Sequence, residues 1–491
     1  MGKSPGELRK EERDFFRNTR DAIFSNPFGE RRASIDRLIL ANTTDNGRDK
    51  EKQLATKVAV RLDRLLSEQG KNIYDYRAKD SDLLRYGVLF SVFHRFCDRL
   101  DELIITQLEQ GDAPSRVNFS EECLGLLAGY GLNSDDAEKC FALFFQLRRA
   151  FFFINRIIGS SIPMQGLRLN LWNNVFTHDL GLYEDHLWNR MEDFSTILQG
   201  ETGTGKGMAA AAIGRSGFIP FDRAKGCFVE SFTRAFVSIN FSQYPEELLE
   251  SELFGHKKGA FTGAIENHDG VFGRCSPHGS IFLDEIGEIA EPVQIKLLTV
   301  LQERRFCPVG SHHEHRFHGR VIAATNQDLL ALRKKGRFRN DFYYRLCSDS
   351  IQVPTLRSRI HENEDELGQL LERTVTHILG TDSSEIAGFI EEAIRRNIPQ
   401  DYPWPGNVRE LEQCARRILI KHGYEGDQIV AAGGRQEEDI GDQILRGTLT
   451  ASELLTVYCR HLYDRLGSYE AVARQVDLDR RTVKKHITEV R

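Results

Sequence analysis

No C-x-x-C pair occurs among the nine cysteines of this 491-residue chain, and no charged-then-apolar leader opens it. These absences favour reduced thiols in a cytoplasmic setting, and all nine cysteines read as structural. Long apolar runs are missing too. The most membrane-like stretch, Phe141 to Ile154, holds the adjacent Arg148 and Arg149 and falls short of the ~20 apolar residues that a span requires. It reads as a buried amphipathic helix, and no membrane partner is expected. Charge of one sign is not in great excess: the formal net charge is -6, with 28% charged and 40% hydrophobic residues. That balance excludes wholesale disorder and confines any nucleic-acid contact to a local patch. Internal repeats are absent. The length is too great for one core and predicts roughly three or four domains.

The hydrophobic pattern divides what is present. Residues 1–153 read as a helical region, with Leu83, Leu84, Val88, Leu89, Val92 and Phe93 recurring near a 3.6 period. It lacks the strand-and-acid alternation of a phosphoacceptor receiver domain, its phenylalanines read as core, and its role stays open. Residues 154–354 change to short apolar or β-branched runs alternating with helical stretches, the pattern of an α/β layer with a largely parallel sheet. Strands are expected at Phe194 to Gln199, Phe236 to Asn240, Ile281 to Asp284 and Arg320 to Asn326. Residues 355–423 read as a small helical lid, with Tyr402-Pro403-Trp404-Pro405-Gly406 set rigidly ahead of a helix near Asn407. Residues 424–445 read as a linker, and 446–491 as a terminal module.

The chemistry sits at the strand ends, where ligands of such sheets bind. In Gly200-Glu201-Thr202-Gly203-Thr204-Gly205-Lys206, the glycines let consecutive backbone N–H groups turn onto phosphate oxygens, and Lys206 adds a point charge. A strand enters this loop, and the alanine-rich run Met208 to Ile213 leaves it as a helix. The Ser or Thr that would reach Mg²⁺ after the lysine is replaced by Gly207. Magnesium is then left to phosphate, water and Asp284, while the neighbouring Glu285 can orient and deprotonate an attacking water. Phosphoryl transfer rests on charge stabilisation, so an arginine from a neighbouring molecule is expected. Arg339 and Arg345 stand six residues apart in one run; taken alone, either reads better as part of a solvated basic helix face. Between the glycine loop and the acids lies Gly259-Ala260-Phe261-Thr262-Gly263-Ala264, a loop placed to convert hydrolysis into movement.

In this order of motifs, from about Ile154 to Lys421, the chain resembles the AAA+ domain of sigma-54-dependent transcriptional activators, the bacterial enhancer-binding proteins. The hexapeptide at 259–264 is the most specific element, and in that family it tips a loop that contacts sigma-54. The resemblance implies that Gly200, Glu201, Thr202, Gly203, Thr204, Gly205, Lys206 and Gly207 bind ATP. It further implies that Asp284 and Glu285 are the Walker B pair, Asn326 the sensor I residue, Arg339 and Arg345 the trans-acting arginines, and Arg409 sensor II. Asn240 matches the asparagine that switches the catalytic glutamate, and a carboxamide within reach of Glu285 is suited to hold it inactive.

The chain also departs from that family, which usually has an acidic residue at Gly207 and an arginine at Ala211. Residues from Arg215 to Arg234 look inserted, and read by default as a surface loop without function. The cluster His312-His313-Glu314-His315-Arg316-Phe317-His318 invites a metal reading. Alternate residues of a hairpin strand would project to opposite faces, which argues against it.

The last residues, from an apolar helix at Leu454 to Leu466 through Gly467 to Ile487, resemble the helix-turn-helix of Fis-type DNA-binding domains. Ala471, Val472, Val476, Leu478, Val483 and Ile487 supply an inner face, leaving Arg480, Arg481, Thr482, Lys484 and Lys485 outward for a major groove. A solvated basic helix explains the pattern alone; attachment to an activator-type ATPase favours DNA.

The whole is therefore expected to be multidomain: a helical N-terminal region, an α/β AAA+ P-loop core with a helical lid, and an all-α helix-turn-helix C-terminal domain. The implied function is a cytoplasmic, hexameric ring ATPase that uses ATP and Mg²⁺, binds upstream double-stranded DNA and remodels the sigma-54 RNA polymerase holoenzyme closed complex. The alternative is a DNA-binding regulator whose nucleotide-gated fold serves oligomerisation with little turnover.

Overall fold

The computed structural model describes residues 6–40, 50–69, 72–421, 424, 426 and 450–488. The chain falls into two units, Met1–Tyr424 and Glu425–Arg491. Most of the expected linker, 424–445, lies outside the described residues.

Among the described residues, the 3.6-residue apolar period of the N-terminal region produces six α-helices: α1 (Lys10–Phe24), α2 (Glu30–Leu40), α3 (Lys50–Gln69), α4 (Ala78–Gln110), α5 (Ser120–Gly129) and α6 (Ser134–Asn155). The apolar stretch at 141–154 is the back half of α6, whose start is capped by Asn133 accepting from Asp136 N at 2.8 Å. Its arginines explain the polar interruption: Arg148 pairs with Asp101 of α4, and Arg149, fully buried, donates to Arg215 O and Gly217 O at 2.7 Å each. Among the described residues, no helix is long and apolar enough to cross a membrane.

The segment 215–234 sends its rings into the core and is not simply a surface loop, which corrects the sequence reading. Phe221–Asp222 pairs antiparallel with Cys227–Phe228, and Phe221, Phe228 and Phe232 are buried in the same cluster as the N-terminal helices. Phe228 stacks on Phe145 at 4.2 Å, and Phe221 meets Phe141 edge-on at 4.9 Å. Burying one such ring contributes roughly 1.5–3 kcal/mol, which a solvated loop would forgo. The insertion therefore has a packing partner that a reading confined to the ATPase region does not see. The α6 helix also runs across the expected boundary at 153/154, so helices and core form one unit.

The α/β layer is a five-stranded sheet: β1 (Thr196–Gln199), β2 (Phe236–Asn240), β3 (Ser280–Asp284), β4 (Arg320–Thr325) and β5 (Asp349–Gln352), in the order β2-β3-β4-β1-β5, every pair parallel. The fifth strand carries no motif, and the pattern did not single it out. Alternate residues feed two cores. Ile197, Ile281, Leu283, Val321 and Ala323 face one, while Leu198, Phe282, Ile322 and Ala324 face the other. Burial on both faces is why these strands read as continuous apolar runs.

Four helices follow as the lid: Leu356–Glu362, Asp365–Leu379, Ser384–Asn397 and Asn407–Lys421. An ion pair secures it. Arg359 donates to Glu366 Oε2 at 2.8 and 3.0 Å, and Ser161 N donates to Glu366 Oε1 at 2.9 Å.

Among the described residues, the C-terminal unit has three helices, Ala451–Leu466, Tyr469–Val476 and Arg480–Thr488, around buried Cys459, Leu462, Val472 and Val483. A capping box between Thr450 and Glu453 starts the first. Asp477, at φ 53°, turns the chain after the second, and Asp479 caps the third by accepting from Arg481 N and Thr482 N at 2.8 and 3.0 Å.

The Glu366 pair yields a prediction. Burial pushes its carboxyl up, but the hydrogen bonds from Ser161 and Arg359 outweigh this and hold it below the usual range. Such a group gives stability that is full above the ordinary glutamate range and lost as pH falls through the folded-state value. Glu366→Ala should cost about 3–5 kcal/mol at neutral pH, because it strands a buried guanidinium, and should flatten the acid limb. Denaturant unfolding at neutral and acid pH measures both.

Candidate functional site

The parallel register brings the carboxyl ends of four motif-bearing strands into one row. Gln199 pairs with Thr325, Asn240 with Asp284, and Leu283 with Ala323. Beyond β1, the glycine loop turns with Gly203 at φ 78° and Gly205 at φ 101°, a region that favours glycine. Lys206, buried at the start of helix Lys206–Gly214, donates to Gly200 O and Glu201 O at 2.8 and 3.1 Å. Burial lowers its pKa, while Glu285 and Asp284 oppose that shift. A Cβ on Gly207 would meet nothing within 4 Å, so the missing hydroxyl is not a steric necessity.

The two acids end β3. Asp284 accepts from Asn240 Nδ2 at 3.0 Å and from Glu285 N at 3.1 Å. The Asn240 carboxamide thus engages Asp284, where the resemblance had suggested Glu285; strand pairing places Asn240 directly opposite Asp284. Glu285 is itself in the left-handed region at φ 57°, a conformation that costs a non-glycine residue about 1–3 kcal/mol. Burial raises its carboxyl above the usual range, against the pull of Lys206. Asn326 joins acid to loop, donating from its N to Glu285 Oε2 at 3.3 Å and from Nδ2 to Thr202 Oγ1 at 2.9 Å. Thr204 Oγ1 donates back to Glu201 O at 2.8 Å.

The lid clamps the loop through residues the sequence reading missed. Arg357 pairs with Glu201, including a 2.8 Å bond to Oε2. Asn407, fully buried at φ 51°, donates to Glu201 Oε2 and Thr202 O at 3.1 and 3.0 Å. Asparagine is among the few residues that tolerate that backbone, a signal available in Pro405-Gly406-Asn407. Arg357 had none. Arg409 stands exposed beside Gly203 and close enough to Lys206 to disfavour its charge.

Arg339 and Arg345 are not brought into this loop-and-acid cluster. Arg339 caps helix Asn340–Leu346 from outside, paired to Glu291 and Asp341 at 2.8 Å each. Arg345 lies in its last turn, donating to Leu301 O at 3.0 Å.

The hexapeptide tips an excursion that leaves β2 at Asn240 and returns to β3. Its neck is the bridge between His256 and His268, N–H to O at 3.0 Å both ways. The tip closes on itself through Gly259 N to Ala264 O at 2.8 Å, with Gly259 at φ 81° and Gly263 at φ 106°. Phe261 is 39% exposed, its ring 4.9 Å from that of His256, and Thr262 is exposed. Gly310 packs against Ala260, bringing the connection to hairpin Arg305–Phe306/His315–Arg316 beside the tip. The His315 ring of that hairpin stacks on Phe306 at 5.6 Å.

On the third helix of the C-terminal unit, Arg481, Lys484 and Lys485 are exposed. Arg480 is exposed but paired to Glu470 at 2.9 Å, and the Thr482 hydroxyl is spent on Asp479.

Residues 186–352 match the family described as the sigma-54 interaction domain. The chain is 36% identical over 339 residues to the Nif-specific regulatory protein of Azotobacter vinelandii, covering 66% of this chain and 57% of that protein. To the regulatory protein AtoC of Escherichia coli (strain K12) it is 36% identical over 320 residues, 62% of this chain and 63% of that one. To the Nif-specific regulatory protein of Klebsiella pneumoniae it is 43% identical over 228 residues, 46% and 40% respectively. The chain thus spans 40% to 63% of these relatives' lengths. The chain therefore carries a sigma-54 interaction domain at 186–352 and is similar to these regulators over 46% to 66% of its length.

Proposed function

We propose that the chain is an ATP-hydrolysing ring, a hexamer as its resemblance to sigma-54-dependent activators implies, that binds upstream double-stranded DNA and remodels the sigma-54 RNA polymerase closed complex. One observation carries this reading. The excursion bearing Phe261 and Thr262 leaves β2 at Asn240, and Asn240 hydrogen-bonds at 3.0 Å to Asp284, the carboxyl end of the neighbouring β3. A change at the carboxylates is therefore a change at the root of the tip.

In this reading the loop N–H groups of Gly200 to Gly205 hold phosphate oxygens, and Lys206 exchanges its carbonyl partners for the β/γ-phosphates. The donor set fits Mg²⁺: Asp284 keeps an oxygen lone pair beyond its two protein hydrogen bonds, and magnesium retains several waters. Bound there, the metal supplies charge neutralisation. Glu285, with its raised proton affinity, orients a water and accepts its proton, while Asn326 fixes its distance from the loop. Asn240, bonded to Asp284, registers the exchange. Arg339 and Arg345, whose bonds run elsewhere in their own chain, serve a neighbouring subunit's phosphate, and Arg409 senses it from the lid. Gly207 favours the second reading, a nucleotide-gated oligomerisation domain with little turnover, and a turnover assay separates the two.

Glu285→Gln should keep ATP binding and lose turnover by roughly 10²-fold or more; equal loss of both would overturn the assignment. Thr262→Ala should hydrolyse ATP like the parent yet fail to hold sigma-54 in a nucleotide-dependent pull-down. Arg481→Ala and Lys484→Ala should each weaken DNA binding and lower the slope of log affinity against log salt by about 1. Unchanged slopes would remove the helix from the DNA interface.

A further inference from the structure

A cavity of about 300 Å³ lies where α1, α2, α4 and α6 meet the segment that follows α6, the helix Ile162–Phe176 and the turn through Glu184. This volume is at the low end of small-molecule sites, and it belongs to no part of the nucleotide site. Interiors are close-packed, so an opening of this size walled by rings forfeits contacts that a guest restores. Phe28 stacks on Phe151 at 5.5 Å on one side, and Phe93 meets Phe144 at 5.5 Å on another. Trp172, Phe176 and Tyr183 form a third wall.

The charged groups around it cancel. Arg32 is paired with Asp36 at 2.7 Å, Arg148 with Asp101, and Arg85 with Glu184 at 2.7 Å. An ion entering would find no uncompensated partner, which selects an uncharged guest. Among the polar groups that line it, His94 is unspent. His94 lies between the rings of Phe90 and Phe93, at 4.4 and 5.2 Å, with no hydrogen-bond partner among the described residues. Burial, aided by Arg32 and Arg148, pushes it down to about 3, so the ring is neutral and offers an acceptor nitrogen.

We propose that this cavity binds an uncharged, ring-bearing small molecule whose single hydrogen-bond donor meets His94, and that occupancy regulates the nucleotide site. The binding half stands on the cavity alone; the regulatory half rests on the ATPase reading above. The route is short. Tyr183 lines the cavity and accepts at its hydroxyl from Gln146 Nε2 at 2.7 Å, which also donates to Ser216 O at 2.9 Å. Arg148 lines the cavity, and its neighbour Arg149 holds Arg215 O and Gly217 O. These carbonyls, of residues 215–217, directly follow the helix Lys206–Gly214. One stretch of α6 thus has the cavity on one side and the end of the glycine-loop helix on the other.

The test uses 2-naphthol and naphthalene as probes on the full chain, followed by Trp fluorescence and calorimetry. Wild type should bind both saturably. His94→Leu should weaken 2-naphthol roughly tenfold and leave naphthalene unchanged. Leu143→Trp, which fills the cavity, should lose both while keeping its unfolding midpoint and ATP binding; should it fail to fold, Leu147→Trp on the same helix replaces it. Absence of saturable binding to wild type, or undiminished binding to a folded cavity-filled variant, overturns the site. 2-Naphthol should change ATP turnover in wild type and not in the cavity-filled variant. Binding with unaltered turnover overturns the regulatory half, whereas binding to a chain with no turnover at all counts against the ATPase reading and not the cavity.

Discussion

The parallel register among β2, β3, β4 and β1 is the constraint from which the chemistry follows. Parallel strands share a direction, so each carboxyl end emerges on one edge, and the glycine loop, Asn240, the two acids and Asn326 meet there although they are far apart in sequence. Burial on both faces makes that edge rigid. Sliding β3 by one residue would send Phe282 and Leu283 to the wrong cores and carry Asp284 away from Asn240. Core packing therefore enforces the geometry of the polar groups.

Against this rigid edge, two features store leverage. Glu285 keeps a left-handed backbone, sustained because its neighbours are fixed by β3 and by the short helix after it. The excursion to Phe261 and Thr262 is pinned at its neck by His256 and His268, and the residue from which it departs, Asn240, is held by Asp284.

The N-terminal helices are joined to this machinery rather than appended to it. The 215–234 segment leaves the end of the glycine-loop helix and enters β2, and on the way buries three phenylalanines among α6 and its neighbours. Arg149 meets the same segment from inside, with no ion pair among the described residues; burial pushes its guanidinium down to about 9 against the pull of Tyr183 and Glu230, and its charge is met by the carbonyls at a helix end. Any rearrangement of α6 reaches both the helix behind Lys206 and the strand that carries Asn240.

The sequence by itself determined what depends on local order: the helical period of α4 and α6, the glycine loop between strand and helix, the acids at a strand end, the intact hexapeptide, and the apolar face of the terminal helices. Each is written in residues a few positions apart, where backbone preference and side-chain periodicity act directly. Only the tertiary structure decided that Asn240 bonds Asp284 and not Glu285, that Arg357 and Asn407 clamp the loop, that β5 completes the sheet, and that residues 215–234 send three phenylalanines into the core. The physical reason is common to all four: the partner in each contact is distant in the chain, and nothing in a local pattern specifies which far surface a ring, a carboxamide or a strand will meet.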